Sequence, residues 1–202
     1  LADTLNAALQ IEAVRRNSPS VRIFTGMSYR LDTSLQDLDN SESAITLNQT
    51  RFLLVEPPFN RLPTNAEDVL GRLLIQRLVP VLAHPERNIE FQRDPKRLQR
   101  LVDDGVIVQV AAGSLTGMNG SSARRAAEGF IQRGITHAVS SEMHSERSPR
   151  SPNLSSAFDA VSDLVGEREA INLFETNPDM LLGGHAPQLE RITRRRLRRS
   201  WM

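Results

Sequence analysis

Apolar positions along the chain alternate between helical spacing and short continuous runs. Residues 3–16 predict a helix, because Leu5, Leu9, Ile11 and Val14 recur at near-helical spacing and Asn17-Ser18-Pro19 stops the run. Residues 21–25 are a short β-rich run ended by Gly26. Residues 32–50 are polar and turn-rich, a loop with a short helix. Residues 52–55 form a continuous apolar run, as in a strand buried on both faces. A helix follows at 66–78, with Val69, Leu70, Leu73, Leu74 and Leu78 on its apolar side and Asn65 as N-cap. Further strands are expected at 79–83, 106–110 and 137–140. Helices are expected at 94–102, with Asp94 as N-cap and Pro95 at its first position, and at 121–133, closed by Gly134. Two late helices cover 155–165 and 168–175, and Asn177-Pro178 introduces a final short turn.

Strand and helix in strict alternation, with short connections, predict a parallel sheet with helices outside it. Open sheets and closed barrels share that alternation. Two features favour a barrel. The first βα turns carry no glycine-rich phosphate loop. Polar residues also follow the C-terminal ends of the strands: Glu56; then His84, Glu86, Arg87 and Asn88; then Gln109 and Ser114; then Glu142 and His144. Barrel enzymes build their sites on that rim. A typical barrel needs about 250 residues. The 202 here fall short by a βα unit or more, and a start at Leu1 reads as the inside of a longer protein. Residues 1–182 are read as one barrel domain and 183–202 as a basic C-terminal segment.

Composition narrows the chemistry. Hydrophobic residues at 39% and charged residues at 24% suit a globular domain. The absence of cysteine removes disulfide frameworks, thiolate nucleophiles and Cys-ligated zinc together. No apolar run approaches the length of a membrane span, and no signal-peptide layout opens the chain, so the expected location is the cytoplasm. The net charge is +1. Arg191, Arg194, Arg195, Arg196, Arg198 and Arg199 concentrate positive charge near the end. They read either as a solvated helical tail or as a contact for an acidic partner or anionic lipid. Nucleic acid is not expected, since no basic stripe with interleaved aromatics occurs elsewhere.

Two segments could carry chemistry. In Ser140-Ser141-Glu142-Met143-His144 an extended backbone points residues two apart to one side, so Glu142 and His144 would project together, a carboxylate and an imidazole for a divalent metal. In Ala83-His84-Pro85-Glu86-Arg87-Asn88 an apolar strand runs into His84, a ligand through one ring nitrogen, and Arg87 could bind phosphate bidentately. Alternatively His84 and Arg87 are simply satisfied at a strand end. His137 is expected to face a neighbouring helix and His185 an exposed turn; neither is given a role. No G-x-S-x-G elbow is present. Ser114, in a loop of small residues, reads as a close approach of backbone to substrate or barrel rim.

Taken in order, VLAHPERN, VQVAAGSLTG, HAVSSEMHS, an arginine-rich segment and LFETNPDMLL resemble the PHP-type bacterial tyrosine-protein phosphatases of capsule and exopolysaccharide biosynthesis. The resemblance implies a distorted (β/α)7 TIM-like barrel of α/β class, here lacking its first strand or strands. It also implies a cluster of divalent metal ions, manganese by preference with iron or zinc as alternatives. The implied partner is the phosphotyrosine tail of a membrane-associated tyrosine kinase. His84 and His144 match family ligands, while Glu142 stands where the family has Asp and Ser28 where it has a ligand Glu. The family's H-x-H segment has no counterpart in the chain. Arg87 matches a phosphate-binding arginine; Arg150 fits best as the second, with Arg147 its competitor. Two other readings go with the same resemblance: another PHP phosphoesterase, such as a histidinol-phosphate phosphatase, or an inactive binding barrel.

Overall fold

The computed structural model describes residues 22–32, 35, 38, 44–143, 154–187 and 189. The helix expected at 3–16, the arginine-rich end, and His144, Arg147 and Arg150 lie outside the described residues.

The elements run β1 (Ser28–Arg30), β2 (Phe52–Glu56), α1 (Ala66–Ile75), β3 (Val79–Ala83), a 3-10 turn (Pro85–Arg87), α2 (Ile89–Arg93), α3 (Pro95–Asp103), β4 (Ile107–Ala111), α4 (Ala112–Leu115), α5 (Ser121–Gln132) and β5 (Ala138–Ser140). After them come α6 (Ser155–Val165), α7 (Glu167–Ile171), a π-helical turn (Asn172–Thr176) and α8 (Asn177–Leu182). The five described strands are all parallel and lie in the order β1-β2-β3-β4-β5. Sequential order has a consequence. Right-handed crossovers that never reverse direction place the helices between successive strands on one face.

The burial pattern agrees. One face of the sheet, with Leu53, Val55, Leu82, Val108 and Val110, packs against Val69, Leu73, Leu98, Phe130 and Val161 of the helices. On the opposite face Phe52, Val81, Ile107 and Ala138 form a separate cluster with Leu181. Pro80 sits inside a central strand at no cost to the ladder. Val79 donates to Arg51 on the β2 side, and pairing with β4 begins only at Val81, so the missing N–H faces no partner strand.

Helices α1, α3 and α5 all end in the same way. Arg77, Gly105 and Gly134 take positive φ, and in each case the next residue donates back five positions, as Leu78 does to Leu73 at 2.9 Å. This stops α1 at Ile75, three residues before the expected end, while Leu78 stays buried as the apolar partner of the cap. Asn65 makes no side-chain cap, contrary to expectation. Asp94 does cap α3, accepting from Lys96 N at 3.1 Å.

Two expectations are corrected outright. Among the described residues the first strand lies after Gly26, at Ser28–Arg30, and 22–25 form none, because Tyr29 and its neighbours are the residues in register with Val55 on β2. Asn177-Pro178 does not break the chain into a turn. Asn177 N bonds to Asn172 O across a π turn, and Pro178 then sits in the first turn of α8, where no N–H is needed.

Candidate metal centre

Strand alternation decides what reaches the rim. Phe52, Leu54 and Glu56 share the face opposite the helices, as do Ile107 and Gln109, and Ala138 and Ser140. That face therefore climbs from an apolar base to a polar top. β3 leaves the ladder at His84, whose N–H still donates to Gln109 O at 2.8 Å. His84 adopts φ 37 and ψ 50, in the left-handed region, and its carbonyl accepts from Arg87 N to start the 3-10 turn. Glu142, just past β5, is also left-handed, with φ 52. Such backbone costs on the order of 1–3 kcal/mol per non-glycine residue and persists only where its surroundings enforce it.

The two strained residues meet. His84 Nε2 lies 3.6 Å from Glu142 Oε2 and 3.2 Å from Glu56 Oε1. The other oxygen of Glu142 is held by Gln109 Nε2 at 2.7 Å and by the Ser140 hydroxyl at 3.2 Å. Gln109 also donates to Ser140 Oγ at 2.5 Å. His84 is only 4% exposed, and burial pushes its pKa below the ordinary histidine value, against the opposing pull of the Glu142 and Glu56 carboxylates. The imidazole is held in the neutral form, the form that offers a lone pair to a cation.

Donor chemistry fits a divalent ion: two carboxylates stand beside one imidazole nitrogen. Geometry is less complete. Among the described residues no group of three His, Cys, Asp or Glu side chains is spaced to hold a metal as it stands. His84 Nδ1 is buried without a hydrogen-bond partner, where a ligating histidine ordinarily donates to an acceptor.

Behind this cluster lies a third carboxyl. Glu86 is fully buried, and burial raises its pKa to about 7, opposed chiefly by the hydrogen bond from Ser114. Its Oε1 accepts from Ser114 Oγ at 2.6 Å and Ala111 N at 3.2 Å, which ties the His84 turn to the end of β4. Ser114 lies within α4, not in a loop, and its side chain anchors Glu86 at the end of β4. Asn88 caps α2 through Glu90 N and Phe91 N and donates to Pro58 O at 2.6 Å. Arg87 lies over the Phe59 ring at 4.3 Å, and that ring is 5.8 Å from His84.

Of the expected site residues, His84, Glu142 and Arg87 gather in one place. His144, Arg147 and Arg150 lie outside the described residues. Ser28 is exposed on β1, in register with Leu54. His137 bonds the neighbouring strand and shares a cavity wall with Gln99, Val102 and Asp103 of α3. Its Nδ1 accepts from Val108 N at 3.0 Å, and burial lowers its pKa to about 4. His185 is exposed, as expected. The sequence places Glu56, Gln109 and Glu86 on the rim without assigning them a role, and gives no sign of Phe59. The period-two alternation of β2 and β4 was the available signal for the first two.

A parallel sheet with imidazole, carboxylates and a guanidinium on its C-terminal rim defines an α/β protein with a candidate site at its strand ends. Residues 3–183 match the family described as capsular polysaccharide synthesis, CpsB/CapC, and the chain belongs to that family. It is 30% identical over 143 residues to tyrosine-protein phosphatase YwqE of Bacillus subtilis, covering 71% of this chain and 54% of the relative. It is 29% identical to tyrosine-protein phosphatase CpsB of Streptococcus pneumoniae, covering 76% of this chain and 64% of that one. The chain thus spans between half and two thirds of those relatives. Its fold matches a crystal structure from work on YwqE and CpsB, described as unique metal-dependent tyrosine phosphatases, with a TM-score of 0.80 and 25% identity over 91% of this chain and 75% of that one.

Proposed function

We propose that this chain carries a metal-dependent phosphotyrosine-protein phosphatase site of capsule or exopolysaccharide synthesis, acting in the cytoplasm on the tail of a membrane-associated tyrosine kinase. The observation that carries the reading is the convergence of Glu56 and Glu142 on His84 Nε2 at the sheet's C-terminal rim. The described strands form part of the wall of a distorted (β/α)7 barrel spanning residues 1–182, and the basic segment 183–202 meets an acidic partner or membrane surface. No helix among the described residues is long and apolar enough to cross a membrane.

His84, Glu142 and Glu56 would hold divalent ions, manganese by preference, with His144 completing the set. Bound divalent ions supply Lewis acidity and bring the pKa of a coordinated water to about 7. The chain's own residues do the rest. Burial keeps His84 neutral, and Gln109 and Ser140 fix the Glu142 carboxylate. Arg87, with Arg150 or its competitor Arg147, binds the phosphoryl group and offsets charge on its oxygens. No cysteine is required, and none is present.

The test is hydrolysis of a phosphotyrosine peptide with manganese by the chain and by His84→Ala. Equal rates would defeat the reading. Ser28, in the place of a family glutamate, favours a second reading, a barrel that binds the kinase tail without catalysis. Elemental analysis separates the two: an absence of bound transition metal at saturating manganese supports the binding barrel.

A further inference from the structure

We infer that the cavity walled by Phe59 and Arg87 is a subsite for the aryl group of the substrate ester; this rests on the phosphatase reading and names what the site selects. The cavity measures about 390 Å³ and is also lined by Gln92, Asn119, Ser121 and Ser122. Phe59 is 45% exposed, the one large aromatic side chain among the described residues left open to that degree. An exposed ring forgoes burial worth about 25 cal/mol per Å² of its surface.

This ring is nevertheless held in place. Phe59 O accepts from Ile89 N at 2.9 Å, and the preceding carbonyl, of Pro58, accepts from Asn88 Nδ2 at 2.6 Å. Those bonds fix the Phe59 backbone to the segment that continues the His84 turn. The ring itself lies 5.8 Å from the His84 ring, tilted by 33°, and beneath the Arg87 guanidinium at 4.3 Å. It therefore lies next to both the histidine read as a metal ligand and the arginine read as a phosphate binder. A substrate whose phosphoryl group is held by those two would bring its ester substituent to Phe59 on the cavity side. An aryl substituent gains a tilted or edge-to-face ring contact there, and an alkyl one does not. The amide and hydroxyl groups of Gln92, Asn119, Ser121 and Ser122 give the lining hydrogen-bonding capacity, which suits a peptide-borne ring better than a bare hydrocarbon.

The experiment compares wild type, Phe59→Leu and Phe59→Trp with manganese on matched peptides bearing phosphotyrosine or phosphoserine. In parallel, calorimetry measures binding of phenylphosphonate and methylphosphonate. Phe59→Leu is expected to lower the aryl-over-alkyl ratio of kcat/KM, and the phenyl-over-methyl ratio of affinities, by about five- to tenfold, the size of one aromatic pair contact. Phe59→Trp is expected to keep both ratios. Equal losses on both peptides in Phe59→Leu would overturn the subsite, because the ring would then act only by supporting Arg87. A wild type that hydrolyses neither peptide defeats the phosphatase reading instead. The phosphonate pair still decides the subsite in that case, and a phenyl preference that is absent, or unchanged in Phe59→Leu, overturns it.

Discussion

His84 and His137 are both 4% exposed, and burial depresses both, yet they sit at opposite ends of the sheet, on the two strands that flank β4. His137 precedes β5 at the base of the sheet. One ring nitrogen accepts a backbone N–H of β4, and its carbonyl accepts from Asn177 Nδ2 at 2.8 Å. Desolvation alone perturbs it. His84 follows β3 at the rim, in strained backbone, with two carboxylates and a guanidinium in its field. Burial by itself therefore does not mark a working histidine. The strand end it occupies, and the charges turned toward it, do.

The largest expected effect tests that distinction directly. His84→Ala should lower kcat/KM on an aryl phosphate by about a hundredfold or more, the scale on which support of a metal site is lost. Unfolding in urea should move little. His137→Ala should reverse the pattern. It leaves Val108 N–H buried and unpaired at a cost of about 1–3 kcal/mol, with activity per folded molecule retained. Similar losses of activity from both variants would erase the difference between rim and base.

Next comes pH. His137 has a folded pKa of about 4 against an ordinary value of 6.5. The unfolded chain takes up a proton across that window and the folded chain refuses it. Stability is therefore full above about pH 6.5 and is lost as pH falls toward 4, by roughly 3 kcal/mol at most. Urea unfolding of wild type and His137→Gln at pH 7 and pH 4.5 should show the flatter dependence in the variant. Parallel curves would place the proton elsewhere.

Ser114→Ala asks whether the rim is braced from behind. The variant removes the hydroxyl that donates to buried Glu86, while Ala111 N remains as donor. A loss of about 1–3 kcal/mol is expected, measured by urea unfolding. A falling kcat/KM at unchanged metal content would show that the brace also positions the His84 turn.

Local physics made much of this legible in sequence. Residues 79–83 are a strand as expected, and β4 and α5 fall within a residue of their expected bounds, because apolar runs, Asp94-Pro95 and Gly134 act through near neighbours. The first strand was misplaced because its position is set by pairing: Arg30 finds Glu56 across the ladder, and the apolar residues before Gly26 find no such register. The site divides in the same way. His84 and Glu142 stand in recognisable segments. Glu56 and Gln109 become site residues only when register brings three strand ends level. Phe59, and the partners of Glu86, join through contacts 25 to 28 residues away in sequence, which no local pattern reports.

The smallest effect compares strain at the two ends. Arg77 ends α1 in the left-handed conformation that Gly105 and Gly134 supply at the equivalent turns of α3 and α5. A non-glycine residue there costs about 1–2 kcal/mol. Glycine returns about 0.4–1 kcal/mol of that through its freer unfolded chain. Arg77→Gly should therefore stabilise the fold by about 0.5 kcal/mol, with activity untouched, because nothing at the base depends on where Arg77 reaches. Glu142→Gly relieves the same kind of backbone strain at the rim but removes the carboxylate that Gln109 and Ser140 hold toward His84. If both glycine variants kept full activity, the strain at the rim would be no more functional than the strain at the base, and Glu142 would have no part in the site.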